Sequence, residues 1–119
     1  MCERLIAIGD IHGCKTALER LLESIQPAAN DTIVTLGDYI DRGPDSRGVI
    51  DRLIQLGSES QHIALMGNHE EMMLNVVQHQ YPHEAWTRYG GVNTLDSYGF
   101  SGSLDFLPEE HLKFFQSLQ

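Results

Sequence analysis

Three segments of the sequence place potential metal ligands directly after a glycine. Asp10, Asp38 and Asn68 each follow a glycine, and His12 lies two residues beyond Asp10. Side chains two residues apart leave an extended chain on the same side, so Asp10 and His12 are expected to act together. Carboxylate and imidazole ligands suit a metal such as Mn, Fe or Zn. The four side chains are enough to begin a two-metal site, whose ions lie ~3.5–4 Å apart.

Each segment also has an ordinary explanation when it is taken alone. Asp10 could cap a helix beside a surface His12, and the charged residues at 38–42 could form a solvated turn. Asn68 is a residue type that commonly caps a helix N-terminus. The occurrence of all three segments at equivalent positions favours a shared metal site over three independent coincidences.

Short apolar runs precede these segments and would position them. Residues 5–8, 32–36 and 62–66 are rich in aliphatic or β-branched side chains and have the length of buried strands. Helical spacing on one face occupies residues 16–25 and 46–56 between them. The alternation predicts an α/β fold with two right-handed βαβ crossovers and a parallel sheet. If the strands are neighbours, ~4.8 Å apart, the three segments meet at one sheet edge.

The remainder of the sequence favours helices. Residues 70–80 predict a third helix, which breaks near Pro82. Short helices are expected at 84–89 and 92–98, on either side of two glycines. A last helix over 108–118 would begin with a proline and two acids, which suit the positive end of the helix dipole.

Several other residues receive structural interpretations. Cys14, at the start of a helix, is expected to be a small packed residue rather than a nucleophile. Trp86 is expected to anchor the core or an interface. Glu70 and Glu71 are interpreted as a solvated first helical turn. Tyr39 could line the site or pack in the core, and the sequence leaves both open.

Charge and composition limit the function classes. The chain has 119 residues, eight of them basic and seventeen acidic, and a net charge of −9. This charge disfavours nucleic acid and anionic membranes as partners, and it would repel a phosphate ester unless bound cations reverse the local sign. No segment approaches the ~20 apolar residues of a membrane span. Cys2 and Cys14 are too few for a disulfide framework, so we expect reduced thiols and a soluble, cytoplasmic protein.

The three segments together resemble a known family. The blocks GDIHG (9–13), GDYIDRG (37–43) and GNHE (67–70) are similar to the three N-terminal motifs of the calcineurin-like metallophosphoesterase superfamily. The arginine in the second block resembles the phosphoprotein phosphatase branch, and residues 86–99 resemble its bacterial serine/threonine protein phosphatases. The implied fold is the parallel βαβαβ half of the metallophosphoesterase sandwich, with flanking helices and a C-terminal helical tail. We expect a single truncated domain over 1–119.

The resemblance implies a set of metal ligands. Asp10 and His12 would bind the first ion, Asp38 would bridge both ions, and Asn68 would bind the second. The implied cofactors are up to two divalent ions, with manganese favoured and iron or zinc as alternatives.

The resemblance also implies catalytic roles. His69 would donate a proton to the leaving oxygen, and Asp41 would hold the imidazole ring and favour its protonated form. Arg42 would bind phosphate oxygens through its planar guanidinium, with Asn68 and His69 also contacting the phosphate. A metal-activated hydroxide would attack phosphorus in line, without a covalent phosphoenzyme.

The favoured function is hydrolysis of phosphomonoesters of the protein phosphatase type. Substrates would be phosphoserine, phosphothreonine or phosphotyrosine in proteins, and small aryl phosphates. One alternative is a symmetrical dinucleoside tetraphosphate hydrolase, against which His12 in GDIHG argues mildly. Another alternative, from a different class, is a phosphate-binding or dimerisation module without turnover.

The 119 residues are shorter than the catalytic domain of the family that they resemble. The family supplies further metal-binding histidines and a second phosphate-binding arginine, which have no matching motif here. We therefore expect weaker metal binding, above all at the second ion. Apolar sheet surface would be exposed unless the C-terminal helices repack over it or a second copy of the chain covers it, and of the two we favour a homodimer.

Overall fold

The computed structural model describes residues 3–119 and contains one parallel sheet. Its strands are β1 (Leu5–Ile8), β2 (Thr32–Thr35) and β3 (Gln61–Ala64), which pair in the order β1-β2-β3. Residues 36, 65 and 66, which were expected in strands, lie outside them. The predicted neighbour relationship of the three strands is confirmed. Cys2 lies outside the described residues.

Helices connect and follow the strands as the periodicity predicted. α1 (Lys15–Ile25) joins β1 to β2, and α2 (Ser46–Glu59) joins β2 to β3. α3 (Asn68–His79) follows β3. Leu18 and Leu22 of α1 are buried. This arrangement confirms the predicted βαβαβ architecture.

The C-terminal part is helical but less regular than predicted. α4 (Glu84–Trp86) is followed by Thr87–Gly91, where the backbone leaves helical geometry at Tyr89 and Gly90, and then by α5 (Val92–Ser97); α6 (Glu109–Gln116) comes last. The two short helices expected on either side of Gly90 and Gly91 are therefore found, with a kink between them. Gly90, with φ of 108°, provides the kink because its backbone conformation suits glycine.

The core lies between the helices and one face of the sheet. Its fully buried side chains include Ile33 of β2, Ile50 and Leu53 of α2, Met73 of α3 and Phe115 of α6. Helix α2 is central, since it contacts α1, α5, α6 and β3. Helices α5 and α6 of the C-terminal tail thereby pack on α2, the helix that also contacts β3.

The opposite face of the sheet carries exposed apolar side chains. Leu5 and Ile63 are 77% and 40% exposed, and Leu36, just after β2, is 49% exposed. Side chains alternate between faces along a strand, so these residues share the face that the core does not use. In the part of the chain that the structure describes, no helix has the length and apolar character needed to cross a membrane.

Cys14 differs from its expected environment. It immediately precedes α1, and its free thiol is exposed rather than packed. The turn that starts α1 leaves the side chain on the surface, and its Sγ donates a weak hydrogen bond to the carbonyl of His12 at 3.6 Å.

Candidate metal centre

The loops after β1 and β2 are joined by backbone hydrogen bonds. The N–H groups of Ile11 and His12 both donate to the carbonyl of Asp38, at 3.1 and 2.9 Å. Gly13 N–H donates to the carbonyl of Tyr39 at 2.8 Å. The loops that follow the two neighbouring parallel strands therefore lie side by side, and these hydrogen bonds bring residues 9–13 and 37–43 together.

Asp10, His12 and Asp38 form a cluster at that place. Each offers one ligand atom, and these atoms all lie within 4.8 Å of one another. An ion ~2.1 Å from each ligand would separate opposed ligand atoms by up to ~4.2 Å, so a small side-chain adjustment would close the cluster on a cation. The structure thus brings together three of the four predicted ligands, and Asn68 is not part of this cluster.

The hydrogen bonding of His12 fits a metal ligand. Its Nδ1 lies 2.9 Å from the carbonyl oxygen of Ile40, which can only accept, so Nδ1 carries the proton. Nε2 then keeps its lone pair and faces Asp10 Oδ2 at 3.7 Å. Metal-bound histidines in proteins typically donate their other ring N–H to such an acceptor.

The third segment reaches the cluster through its backbone. His69 N–H donates to Asp38 Oδ1 at 3.1 Å, which places the start of α3 against the cluster. Asn68 is the first residue of α3 and is exposed, while Gly67 occupies the N-cap position. Asn68 therefore does not cap the helix, and its side chain is available to a ligand.

His69 and Asp41 form a buried pair beside the cluster. His69 Nδ1 lies 2.8 Å from Asp41 Oδ2, and Asp41 is fully buried. Donation from Nδ1 to the carboxylate leaves His69 Nε2 free for proton transfer. The rings of His69 and His12 meet edge to face, with centroids 4.8 Å apart, so the pair adjoins the candidate metal ligands.

The surroundings of Asp41 were not foreseen from the sequence. Trp86 Nε1 donates to Asp41 Oδ2 at 2.7 Å, and the Thr94 hydroxyl donates to Oδ1 at 2.6 Å. Burial raises the pKa of the Asp41 carboxyl above its ordinary value, and the hydrogen bonds that it accepts oppose this rise. The only available signal was the resemblance of residues 86–99 to one phosphatase group, which names no contact.

Arg42 presents a free guanidinium at the same edge. Its side chain is exposed, and it forms no salt bridge within residues 3–119. Its backbone N–H donates to the carbonyl of Gly90 at 3.1 Å, which ties the loop to the kink of the helical tail. The Arg42 backbone is therefore fixed, while its exposed guanidinium is available to an anion.

The expectation that Glu70 is solvated is wrong. Glu70 is fully buried, and its carboxylate accepts hydrogen bonds from four backbone N–H groups. Burial raises the pKa of Glu70, and the backbone hydrogen bonds oppose the rise. Glu71, its neighbour, is exposed as expected. The sequence showed both acids at a helix start, but only the fold turns Glu70 inward.

Four site residues have left-handed backbone conformations. His12, Asp38, Asp41 and Arg42 have φ of 44°, 56°, 74° and 72°. Such conformations cost ~1–3 kcal/mol each for residues other than glycine, and they concentrate at functional sites. The chain is thus not extended at His12, and the turn, rather than two-residue alternation, brings His12 to Asp10.

Comparisons with known proteins find phosphoesterases. A family model described as calcineurin-like phosphoesterase matches residues 3–117. A symmetrical bis(5′-nucleosyl)-tetraphosphatase of Acidovorax sp. is 44% identical over 71 residues, which is 59% of this chain and 25% of that relative. Serine/threonine-protein phosphatase 1 of Salmonella typhimurium is 46% identical over 69 residues, which is 57% of this chain and 30% of that relative.

A solved structure shows the same architecture. The crystal structure of a candidate diadenosine tetraphosphatase superimposes with a TM-score of 0.65 at 25% identity. The match covers 99% of this chain and 48% of that structure. The chain thus spans about half of this structural relative, and the matched segments span 25% and 30% of the two curated relatives.

Proposed function

Because this chain belongs to the calcineurin-like phosphoesterase family, a family of hydrolases, we propose that it is a metal-dependent phosphomonoesterase of the protein phosphatase type. Its substrates are phosphorylated serine, threonine or tyrosine side chains and small aryl phosphates. The observation that carries the proposal is the cluster of Asp10, His12 and Asp38 beside the His69–Asp41 pair.

The donor set of the cluster fits a divalent cation. Asp10, His12 and Asp38 would hold one ion, and Asp38 and Asn68 would hold a second, with manganese favoured over iron or zinc. When bound, such ions stabilise charge on phosphoryl oxygens and make water a better nucleophile at neutral pH. They also offset the acidic charge that would otherwise repel a phosphate.

The chain's own residues supply the other parts of the reaction. Arg42 binds phosphate oxygens with its unpaired guanidinium, and the exposed Asn68 contacts the same group. His69 gives its Nε2 proton to the leaving oxygen, and the Asp41 carboxylate stabilises the protonated imidazole beforehand. This step produces a free alcohol without charging the leaving oxygen.

A second candidate function is hydrolysis of symmetrical dinucleoside tetraphosphates. The 44% identity over 71 residues to the Acidovorax relative favours it, because that relative is named a symmetrical bis(5′-nucleosyl)-tetraphosphatase. The same metal, arginine and histidine groups would act on a phosphoanhydride, so the substrate decides between the two functions.

One assay series tests both functions. Turnover of p-nitrophenyl phosphate is measured with Mn²⁺, with EDTA, and in the Asp38→Asn and His69→Asn variants. We expect Mn²⁺-dependent turnover that EDTA and Asp38→Asn abolish. With a phosphoserine peptide, whose leaving oxygen needs a proton, His69→Asn should lower turnover by about 10²-fold or more. Phosphopeptides compared with diadenosine tetraphosphate then identify the preferred substrate. Absence of turnover in every condition would overturn the proposal in favour of a phosphate-binding module.

We also propose a homodimer that covers the exposed sheet face. The face carries Leu5, Leu36 and Ile63, which are between 40% and 77% exposed, and an apolar face of this kind favours association. A twofold arrangement is the commonest for two identical chains.

A further inference from the structure

The carboxylate of Asp41 is held on both oxygens by side chains from the helical tail. Oδ2 accepts from Trp86 Nε1 at 2.7 Å in addition to His69 Nδ1 at 2.8 Å. Oδ1 accepts from the Thr94 hydroxyl at 2.6 Å. Donors from α3, α4 and α5 thus fix the plane of one carboxylate, which cannot rotate without breaking at least one bond.

The Trp86 ring is itself fixed in place. It is 1% exposed, and a Cβ at Gly91 would lie 2.6 Å from its ring atoms, so the helix kink allows the ring to pack directly on the backbone. The indole has one donor and no acceptor, which makes Asp41 the sole hydrogen-bonding partner that it needs. A buried tryptophan therefore donates its N–H to Asp41, the carboxylate that also binds His69, the candidate proton donor.

The Thr94 hydroxyl completes the arrangement. It accepts from the Asp41 backbone N–H at 2.9 Å and donates to Asp41 Oδ1. The Thr94 hydroxyl thus binds both the backbone and the side chain of Asp41. Its one proton is committed to Oδ1, and the Ser46 hydroxyl 2.9 Å away must then donate to it. This network fixes the Asp41 backbone, in its left-handed conformation, as well as the carboxylate.

We propose that Trp86, supported by Thr94, is a positioning residue that aims His69 Nε2 at the leaving oxygen of the substrate by fixing the Asp41 carboxylate. The inference rests on the proposed phosphomonoesterase function. In the step concerned, the bond from phosphorus to the leaving oxygen breaks and its electron pair goes to that oxygen. The oxygen takes the Nε2 proton of His69, while water adds its oxygen to phosphorus and its proton restores His69.

Leaving groups of different basicity separate positioning from simple folding. Phenyl phosphate needs a proton on its leaving oxygen, whereas 2,4-dinitrophenyl phosphate releases a stable anion without one. For Trp86→Phe we expect kcat with phenyl phosphate to fall ~10- to 100-fold and kcat with the dinitrophenyl ester to change about twofold, because only proton donation is impaired. KM should be unchanged for both, since Trp86 does not contact the substrate.

Conservative and matched variants sharpen the test. Thr94→Val should show the same larger loss with phenyl phosphate than with the dinitrophenyl ester. Thr94→Ser, which keeps the hydroxyl, should recover most of the kcat with phenyl phosphate that Thr94→Val loses. The control is Tyr98→Phe, which removes another buried hydroxyl, 2.6 Å from His111 Nδ1, without touching Asp41. Its effect, if any, should be equal for both esters. An equal loss for both esters in Trp86→Phe, or no loss, would overturn the inference while leaving the phosphatase function standing.

The single tryptophan of the chain gives a readout that does not depend on turnover. In a ¹H–¹⁵N NMR spectrum, its one indole N–H resonance should move upfield in Asp41→Asn, because the carboxylate acceptor becomes an amide. Asp105→Asn, an exposed aspartate, should leave it in place. An indole resonance that does not move in Asp41→Asn would contradict the hydrogen bond from Trp86 to Asp41. Failure of the proposed function would instead appear as no wild-type turnover of either ester, and the positioning role would fall with it.

Discussion

Glu70 supports the backbone of Asp38 from beneath the candidate metal cluster. Its Oε1 accepts from the N–H of Asp38 at 2.7 Å and from that of Gly67 at 3.0 Å. Its Oε2 accepts from Tyr39 and Ile40 at 2.8 and 3.3 Å. One buried carboxylate thereby joins the loop after β2 to the start of α3. The backbone position of Asp38, the residue proposed to bridge two ions, is therefore supported by a buried acid outside the proposed ligand set.

Glu70→Gln should weaken both the fold and the metal centre. Glutamine keeps one acceptor oxygen but turns an NH₂ group toward backbone N–H donors, so at least one buried donor loses its partner. The free energy of unfolding should fall by ~1–3 kcal/mol in urea denaturation, and Mn²⁺ affinity should fall in calorimetric titration. Glu71→Gln, one residue along and exposed, should change stability by less than ~0.5 kcal/mol. Equal effects of the two variants would contradict the supporting role.

Two glycine substitutions should have opposite effects. A Cβ at Gly43 would lie 1.9 Å from the carbonyl oxygen of His12, so Gly43→Ala must separate the loops after β1 and β2. We expect a lower melting temperature and loss of Mn²⁺ binding. Gly57→Ala, within α2 with nothing near its Cβ, should raise stability by ~0.5–1 kcal/mol. Differential scanning calorimetry with and without Mn²⁺ measures both, and a stable Gly43→Ala variant that binds Mn²⁺ normally would disprove the close approach.

Mn²⁺ should stabilise the folded chain through Asp38. A ligand that binds only the folded state adds about 2.7 kcal/mol at 100 times its Kd, so the melting temperature should rise with Mn²⁺ concentration. The rise should be absent in Asp38→Asn and unchanged in Asp105→Asn, which removes an exposed acid elsewhere. EDTA should return the wild type to its starting value. A rise that survives in Asp38→Asn would place the metal somewhere else.

Asp31 should make stability depend on pH in the acid range. Hydrogen bonds from the Arg4 side chain, followed by one from the Ala28 N–H, lower the pKa of Asp31 to about 2. Because the folded pKa lies below the unfolded value of ~3.9, this stability is present above pH ~4 and is lost as pH falls toward 2. The difference in melting temperature between wild type and Asp31→Asn should shrink over that range.

The Arg4 side of the same pair provides the control for this pH dependence. In an Arg4→Gln background, Asp31→Asn should cost less at neutral pH, because the main cause of the lowered pKa has been removed. A wild-type advantage over Asp31→Asn that stays constant from pH 6 to pH 2 would show that the carboxylate is not stabilised in the folded chain.

A single charge introduced on the exposed sheet face should prevent dimerisation. Light scattering coupled to gel filtration should give a dimer mass for the wild type at micromolar concentration. Ile63→Lys, on strand β3 of the exposed face, should give the monomer mass because it buries a charge in the interface. Leu21→Lys alters a 43% exposed leucine on α1 and should leave the dimer intact. A monomeric wild type would remove the dimer proposal.

Local patterns were sufficient to predict the strands and their order. Each strand is a short aliphatic run. α2 buries most of the stripe that its periodicity marks, and α1 buries Leu18 and Leu22 of its stripe while Leu21 stays exposed. The helix break predicted at Gly90 and Gly91 is also found, since the backbone leaves helical geometry at Gly90. The sequence did not show that the same glycines let the Trp86 ring pack against the backbone.

The residues that gather at the sheet edge follow from local sequence, because a glycine and an oxygen ligand after each of two neighbouring parallel strands bring Asp10 and Asp38 to the same edge. How those residues are held depends on contacts that form only in the folded chain. Glu70 and Trp86 lie far along the chain from the groups that they fix, and burial together with long-range hydrogen bonds gives them partners. Such contacts depend on the direction of a side chain in three dimensions, which neither spacing nor periodicity encodes.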